Sequence, residues 1–253
     1  MDPKSRTIAL VVEYDGSYLH GMQRQSELPT VAGLLETALC TLLGESVRVV
    51  NAGRTDAGVH ATGQVVSFVT GAEIELRRMP VALSAMLREA HIAVVRAVER
   101  APDFSARRSA LARTYRYRVL NRPAPSPLHE RRAFHIGAHL DVDAIKAAGL
   151  ALVGEHDFAA FCATPPIRGG TRRTVTSLDV ERDREFIDVW ITADSFLHHM
   201  VRIVVGTLVQ VGRGKRSPDD MSRLLAPANR TEAGFTAPAH GLYLERVHYA
   251  DPF

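Results

Sequence analysis

The feature that most constrains the fold is an ordered series of short strand patterns and longer amphipathic helix patterns. Within the first hundred residues, apolar runs bounded by turn residues predict strands, and apolar residues three and four apart predict two helices. Strands are predicted at residues 6–14, 47–51, 64–69 and 92–98, and helices at residues 31–43 and 76–88. This β-α-β-β-α-β order is that of a split β-α-β unit.

The same order can be followed a second time towards the end of the chain. Strands are predicted at residues 113–120, 174–181, 186–192 and 242–249, and helices at 142–153 and 197–211, with an extra short helix at 218–225 before the last strand. Thr30, Asp141 and Ser217 each stand just before a predicted helix, where a short polar side chain caps the free N–H groups. We therefore expect the α+β class, with antiparallel sheets and helices on one face. The two halves would be residues 1–105 and 106–253, with an active-site cleft between them.

Composition excludes several classes of protein. The chain has 253 residues, of which 46% are hydrophobic, enough for a substantial core. Its apolar stretches are far shorter than the roughly 20 residues that a bilayer crossing needs, so no membrane span is expected. Cys40 and Cys162 are too few for a disulfide framework or a zinc cluster. We interpret both as buried apolar residues of a protein in the reducing cytoplasm.

The basic residues are mostly arginines, whose rigid donor fork suits phosphate recognition. Only 3 of the 31 basic residues are lysines, a bias that a GC-rich genome explains equally well. Their distribution is more informative. Between residues 107 and 132, eight arginines accompany a single acid, Glu130, with Tyr115, Tyr117 and Phe134 nearby. Such a local excess is typical of a nucleic-acid surface.

A glycine-flanked loop at residues 52–61, with the sequence AGRTDAGVHA, joins two predicted strands. Gly53 and Gly58 allow the backbone to turn sharply and to present Arg54 and Asp56 at its surface. Asp56 is thereby a candidate catalytic carboxylate. The alternative is an Asx-turn, in which the aspartate only hydrogen-bonds its own loop.

The helix predicted at residues 197–211 is apolar nearly all round, yet it carries Arg202. A guanidinium does not lose its proton, so on a buried helix it needs a partner. Asp56 and Asp194 are the candidate carboxylates. A backbone carbonyl or solvent is the alternative.

Histidines raise the question of a metal site. His198 and His199 are adjacent, and adjacent helical positions point roughly 100° apart, unlike the i, i+4 pairs that chelate one ion. Asp56 and His60 are four residues apart, but Gly58 between them argues against a helix. We therefore predict no metal ligands.

Tyrosine and arginine alternate on the strand predicted at residues 113–120. Tyr115 and Tyr117 should face one side, and Arg116 and Arg118 the other. The tyrosines are either core residues or platforms on which a base stacks.

Several blocks together resemble one family. GRTDAGVHA at residues 53–61 is similar to the catalytic signature of the tRNA pseudouridine synthase A family. Further similar blocks, in the family's order, are EYDG at 13–16, QRQ at 23–25, YRY at 115–117, GEHDF at 154–158, HHMVR at 198–202 and GLYL at 241–244. The chain departs from the family at Met22, where many members have an aromatic residue, and it matches weakly over residues 164–173.

The resemblance implies an isomerase that converts uridine to pseudouridine at nucleotides 38, 39 and 40 in the anticodon arm of tRNA. It makes Asp56 the catalytic nucleophile and Arg202 its ion-pair partner. Arg54 takes the place of the flipped base, Tyr115 stacks in the uracil pocket, and Leu244 forms an apolar wall of that pocket.

The resemblance also implies partners and conditions. The family acts as a cytoplasmic homodimer without cofactor or metal, and each tRNA contacts both subunits. Arg24, Arg107 and Arg108 are the further residues that we expect to contact RNA.

Two other classes remain open on the sequence. One is a non-catalytic RNA-binding protein in which the arginines position phosphates and Asp56 only turns a loop. The other is a metal-dependent hydrolase that uses Asp56, His60 and the histidine pair. For the isomerase, the sequence does not choose between addition to uracil C6 and reaction at the ribose.

Overall fold

The computed structural model describes residues 5–226 and 229–253, which form two compact units. The first unit is Met1–Leu111 together with Tyr243–Phe253, and the second is Ala112–Leu242. The division predicted from the sequence, residues 1–105 and 106–253, differs in two ways. The boundary falls after Leu111, and the C-terminal segment returns to the first unit.

The first unit is built around a strand that is covered on both faces. Its elements are β1 (Arg6–Tyr14), α1 (Val31–Leu43), β2 (Val50–Asn51), β3 (His60–Thr70), α2 (Met79–Leu87) and β4 (Ile92–Arg100). β1 pairs antiparallel with both β3 and β4, and β2 pairs antiparallel with β3. Successive residues of a strand point to opposite faces, and Ile8, Ala9 and Leu10 have no exposed surface. Both faces of β1 are therefore in the core.

The second unit is an antiparallel sheet packed with helices. Its elements are β5 (Ala112–Leu120), β6 (Phe134–His135), α3 (Val142–Leu150), β7 (Gly154–Asp157), β8 (Arg172–Asp183), β9 (Phe186–Ala193), α4 (Met200–Gly212) and α5 (Asp220–Leu224). β9 lies between β5 and β8, and β7 pairs with the outer side of β8. α3 packs on α4 and β8. The predicted α+β class with antiparallel sheets is confirmed.

Two strand pairs are parallel rather than antiparallel. β6 runs parallel to the end of β5. The last strand, β10 (Leu242–His248), lies parallel to the start of β3, where Tyr243 is opposite His60 and Leu244 is opposite Ala61. This pairing draws the C-terminal segment into the first unit. A linear pattern of strands cannot reveal it, because strand pairing joins segments far apart in sequence.

Two helices begin at the residues that the sequence predicts, each with a side-chain cap at its N-terminus. The Thr30 hydroxyl accepts from the Gly33 N–H, and the Asp141 carboxylate accepts from the Ala144 N–H, which confirms both caps. The Ser217 hydroxyl accepts from the Asp219 N–H at 3.3 Å, but α5 begins only at Asp220, later than residue 218 as predicted, and its own N-cap residue Asp219 makes no side-chain cap. The helix predicted from residue 197 begins instead at Met200, because His199 is in the left-handed region with φ of 60°.

The two cysteines lie in different surroundings. Cys162 is buried, but Cys40 is exposed on α1, so the interpretation of Cys40 as a core residue was wrong. α1 is amphipathic, and position 40 falls on its polar face, where a small apolar side chain is tolerated.

Within residues 5–226 and 229–253, no helix combines the length and the hydropathy that a membrane crossing requires.

In the second unit, glycines let two backbone segments meet where larger residues would collide. A Cβ added to Gly206 on α4 would lie 1.8 Å from the carbonyl oxygen of Phe235. A Cβ added to Gly234 would lie 2.7 Å from the Cα of Thr207. The segment around residues 234–237 therefore packs directly on the backbone of α4.

Substitution of Gly206 tests this close packing. Gly206→Ala should lower the free energy of unfolding by roughly 3 kcal/mol, because the added methyl group displaces backbone rather than a flexible side chain. Urea denaturation followed by circular dichroism measures the change. Gly71→Ala is the matched control, since its Cβ would lie 3.9 Å from the nearest atom, and it should change stability by less than about 0.5 kcal/mol. Equal midpoints for the two variants would contradict the packing argument.

Candidate active site

The aspartate loop, residues 53–61, connects β2 to β3 in the first unit and includes the first two residues of β3. Arg54 is exposed, Thr55 is buried and Asp56 is half-buried. The Val59 N–H donates to the Asp56 carbonyl at 3.2 Å, and Gly58 has φ of 79°, so the chain turns tightly just after the carboxylate. The loop thus presents Arg54 and Asp56 from a fixed turn, as the sequence predicted.

The loop rests on the segment that follows β1. The Met22 N–H donates to the Thr55 carbonyl at 3.0 Å, and the Gly58 N–H donates to the Leu19 carbonyl at 3.4 Å. A Cβ on Gly16 would lie 2.0 Å from the carbonyl oxygen of Val59, so only glycine permits this approach. Met22, the departure from the family pattern, has no exposed surface and lies at the base of the loop.

His60 lies at the same contact between the aspartate loop and the segment that follows β1. It is 3% exposed, and its Nδ1 accepts from the Gly16 N–H at 3.1 Å and lies 3.2 Å from the Asp15 carboxylate. Its ring stacks on Tyr243, with the ring centroids 4.6 Å apart. Because Nδ1 is engaged by the backbone, that nitrogen is not a free metal ligand. The contacts favour a satisfied core histidine.

Strand β10 places Leu244 beside the end of the aspartate loop. Leu244 lies opposite Ala61 in the parallel ladder and has no exposed surface. The neighbouring Glu245 carboxylate accepts from the Thr62 hydroxyl at 2.6 Å, which fixes this strand to β3. Leu244 is thus a rigid apolar residue, and its role as a wall of the uracil pocket stays a prediction.

The second unit carries the predicted tyrosines and arginines on opposite sides of β5. Tyr115 is 7% exposed and meets Phe196 edge to face, with centroids 4.9 Å apart. Tyr117 is fully buried, and its hydroxyl donates to the Pro238 carbonyl at 2.7 Å. Burial raises the pKa of the Tyr117 hydroxyl far above its ordinary value, although the positive charge of Arg202 acts in the opposite direction. Tyr117 is therefore a neutral core residue.

Arg202 is half-buried at the start of α4 and is held by one residue of the neighbouring segment. Its Nε donates to the Ala237 carbonyl at 2.8 Å, and its own carbonyl accepts from the Ala237 N–H at 3.0 Å. A backbone carbonyl, the alternative considered above, is thus one partner of the guanidinium. Arg202 belongs to the second unit and Asp56 to the first, and an ion pair between them stays a prediction.

The histidine pair lies immediately before α4 rather than on it. The rings of His198 and His199 lie with centroids 3.9 Å apart, and Nδ1 of His198 is 3.1 Å from the Thr164 hydroxyl. The prediction that the two side chains diverge as helical neighbours was wrong, because the left-handed backbone of His199 brings the rings together.

The arginine-rich segment is less positive than its own sequence suggests. Arg118 donates to both carboxylate oxygens of Asp188, at 2.9 and 2.7 Å, and Arg116 lies 3.8 Å from the same group. Arg122 pairs with Glu185 at 2.9 Å. These acids belong to β9 and the turn before it, so a count along one segment missed them.

The remaining arginines expected to contact RNA have different surroundings. Arg107 and Arg108 are exposed on the segment after β4. Arg24 donates to the Glu36 carboxylate at 3.0 Å, which Arg48 also contacts at 2.8 Å, although the Arg24 side chain is still 59% exposed. Arg24 is therefore partly neutralised, and its role in RNA binding stays a prediction.

Several residues at these sites were not identified from the sequence. Ala237 and Phe196 act through contacts that only the folded chain creates. Gln64 could have been found, since it is the only amide side chain in β3, and the structure leaves it with no exposed surface. A buried amide must form hydrogen bonds within the protein, which is itself a signal of a structural or functional role.

Comparison with known proteins identifies the class. The family model of tRNA pseudouridine synthase matches residues 10–107 and 148–250. The tRNA pseudouridine synthase A of Moorella thermoacetica is 46% identical over 96% of this chain and 99% of its own length. That of Rhodospirillum centenum is 44% identical over 95% of this chain and 98% of its own length. A solved structure of a Cbf5-Nop10-Gar1 complex matches 95% of this chain and 50% of its own chain, with 12% identity and a TM-score of 0.38.

The fold and the matched residues define an RNA-modifying isomerase. The chain belongs to the tRNA pseudouridine synthase A family, whose members isomerise uridine to pseudouridine in tRNA. Of the three classes that the sequence left open, this is the isomerase.

Proposed function

We propose that the protein isomerises uridines 38, 39 and 40 in the anticodon arm of tRNA and that Asp56 is its nucleophile. The observation that carries this proposal is the aspartate loop itself. It presents a half-buried carboxylate from a turn held by backbone contacts on both sides, within a chain of this family. A carboxylate fixed in this way is positioned before the substrate arrives, which lowers the barrier to attack.

The reaction breaks the bond between uracil N1 and the ribose, turns the ring and rejoins it through C5. The target base must first leave its helix, at a cost of a few kcal/mol. Arg54, exposed next to Asp56, is the proposed side chain that fills the gap. Tyr115 and Leu244 are the proposed contacts of the uracil ring, and Arg202 is the proposed partner of the carboxylate. We propose no cofactor or metal for this chemistry, and a cytoplasmic location, where tRNA is found.

Replacing the carboxylate tests the proposed nucleophile. Asp56→Asn should abolish pseudouridine formation while tRNA affinity stays nearly unchanged, because the amide keeps the shape of the side chain and loses only its reactivity. Unmodified tRNA is incubated with enzyme in EDTA, and pseudouridine is mapped at each nucleotide. Asp103→Asn, an exposed aspartate of the same unit, is the control and should keep full activity. Turnover by Asp56→Asn would contradict the assignment, and product outside nucleotides 38–40 would contradict the proposed substrate positions.

Arg107 and Arg108 are proposed as phosphate contacts because both are exposed in the most basic part of the sequence. Changing both to alanine should weaken tRNA binding and reduce the slope of log K against log salt by about one to two. Filter binding at several salt concentrations measures the slope. Arg77 and Arg78 are the control pair, since both are exposed and both contact Glu75. An unchanged slope for the Arg107 and Arg108 variant would place the RNA elsewhere.

We also propose a homodimer, on family resemblance. Light scattering at micromolar concentration should give twice the chain mass of 27.7 kDa. A mass equal to that of one chain would refute the dimer without affecting the other proposals.

A further inference from the structure

The residues of the aspartate loop alternate between exposed and anchored positions. Arg54 is exposed and Asp56 half-buried, whereas Thr55 between them is 7% exposed. Gly53, before Arg54, has its carbonyl oxygen bound by the Gln64 amide at 2.8 Å. The two residues proposed to act on RNA are therefore each preceded by a residue that is tied to the protein interior.

The ties converge on one buried polar cluster. The hydroxyl groups of Tyr14 and Thr55 are hydrogen-bonded at 2.7 Å, and the Gln64 amide also donates to the Tyr14 hydroxyl at 3.5 Å. Tyr14 is 3% exposed and Gln64 has no exposed surface. Because Gln64 also binds Gly53, β1 and β3 hold the loop at two points through this cluster.

We propose that Tyr14, Thr55 and Gln64 form a positioning network that fixes Arg54 and Asp56 for reaction. None of the three side chains is proposed to contact the uridine. They act through the backbone at Gly53 and Thr55, and the Met22 N–H supports the same point by binding the Thr55 carbonyl. The inference rests on the proposed function of Asp56, since it concerns how that carboxylate is held.

The chemistry of the cluster suits a fixed support rather than a proton carrier. Burial raises the pKa of Tyr14 to about 12, although its hydrogen bonds with Thr55 and Gln64 act in the opposite direction. The hydroxyl is thus protonated throughout the range in which tRNA modification is assayed. Its oxygen accepts from the Gln64 amide and shares a hydrogen bond with the Thr55 hydroxyl, in which either group can be the donor. Both hydroxyl groups of the buried cluster are hydrogen-bonded within the protein, which favours a fixed arrangement.

The test removes single hydroxyl groups and separates kcat from KM. Tyr14→Phe and Thr55→Val should each lower kcat about 10-fold to 100-fold, because small displacements of a reacting group have effects of this size. KM for tRNA should stay within about twofold, since no RNA contact is removed. Thr55→Ser, which restores the hydroxyl, should recover most of kcat.

Matched controls remove buried hydroxyl groups elsewhere in the first unit. Tyr249 donates its hydroxyl to the Ala106 carbonyl at 2.7 Å, and Thr7 donates to the Pro102 carbonyl at 3.3 Å. Tyr249→Phe and Thr7→Val should lose stability in thermal melts, as the network variants do, but should keep kcat. All variants are assayed well below their melting temperatures.

The pH profile distinguishes positioning from acid-base catalysis. Tyr14→Phe should lower the whole profile of kcat without moving its limbs. A shifted limb, an unchanged kcat, or a loss equal to that of the control variants would overturn the network. The control for the proposed function is Asp56→Asn in the same assay. If it is inactive while Tyr14→Phe is fully active, the network alone fails, and if it is active, the proposed function fails.

Discussion

The approach of the segment after β1 to the aspartate loop is the contact on which the candidate site depends. Gly16 lies so near the Val59 carbonyl that a side chain at this position would displace the backbone. His60 accepts from the Gly16 N–H, and Met22 donates to Thr55, so the same segment binds both ends of the loop. A short loop with few contacts of its own becomes rigid because it shares its hydrogen bonds with a neighbour.

In the second unit, a close approach of two backbone segments likewise holds the helix α4. Gly206 and Gly234 remove the side chains that would separate α4 from the segment leading to Ala237. The close approach lets Ala237 bond both the backbone and the guanidinium of Arg202. In each unit, a residue proposed to take part in the reaction is held by main-chain groups. Main-chain groups keep their position when side chains change, so they suit sites that need fixed geometry.

The net charge that a segment of this protein presents cannot be judged from the residues of that segment alone. The arginines of β5 have partners on the neighbouring strand, where Asp188 accepts two hydrogen bonds from Arg118. Glu36 likewise lies between Arg24 and Arg48. Pairs of this kind partly neutralise their arginines and leave less charge for an RNA partner. Arg107 and Arg108, which are exposed outside the strands, are the proposed phosphate contacts.

The sequence by itself determined the α+β class, most element positions and the composition of the aspartate loop. β1 and α1 occupy the predicted residues because alternation, helical spacing and the Thr30 cap are local properties. The family blocks also pointed to Asp56, Tyr115 and Arg202. Tertiary structure decided the parallel pairing of β10 with β3, the left-handed turn at His199 and the cluster beneath Thr55. These features arise from contacts between residues distant in sequence, and neither periodicity nor local propensity carries information about such contacts.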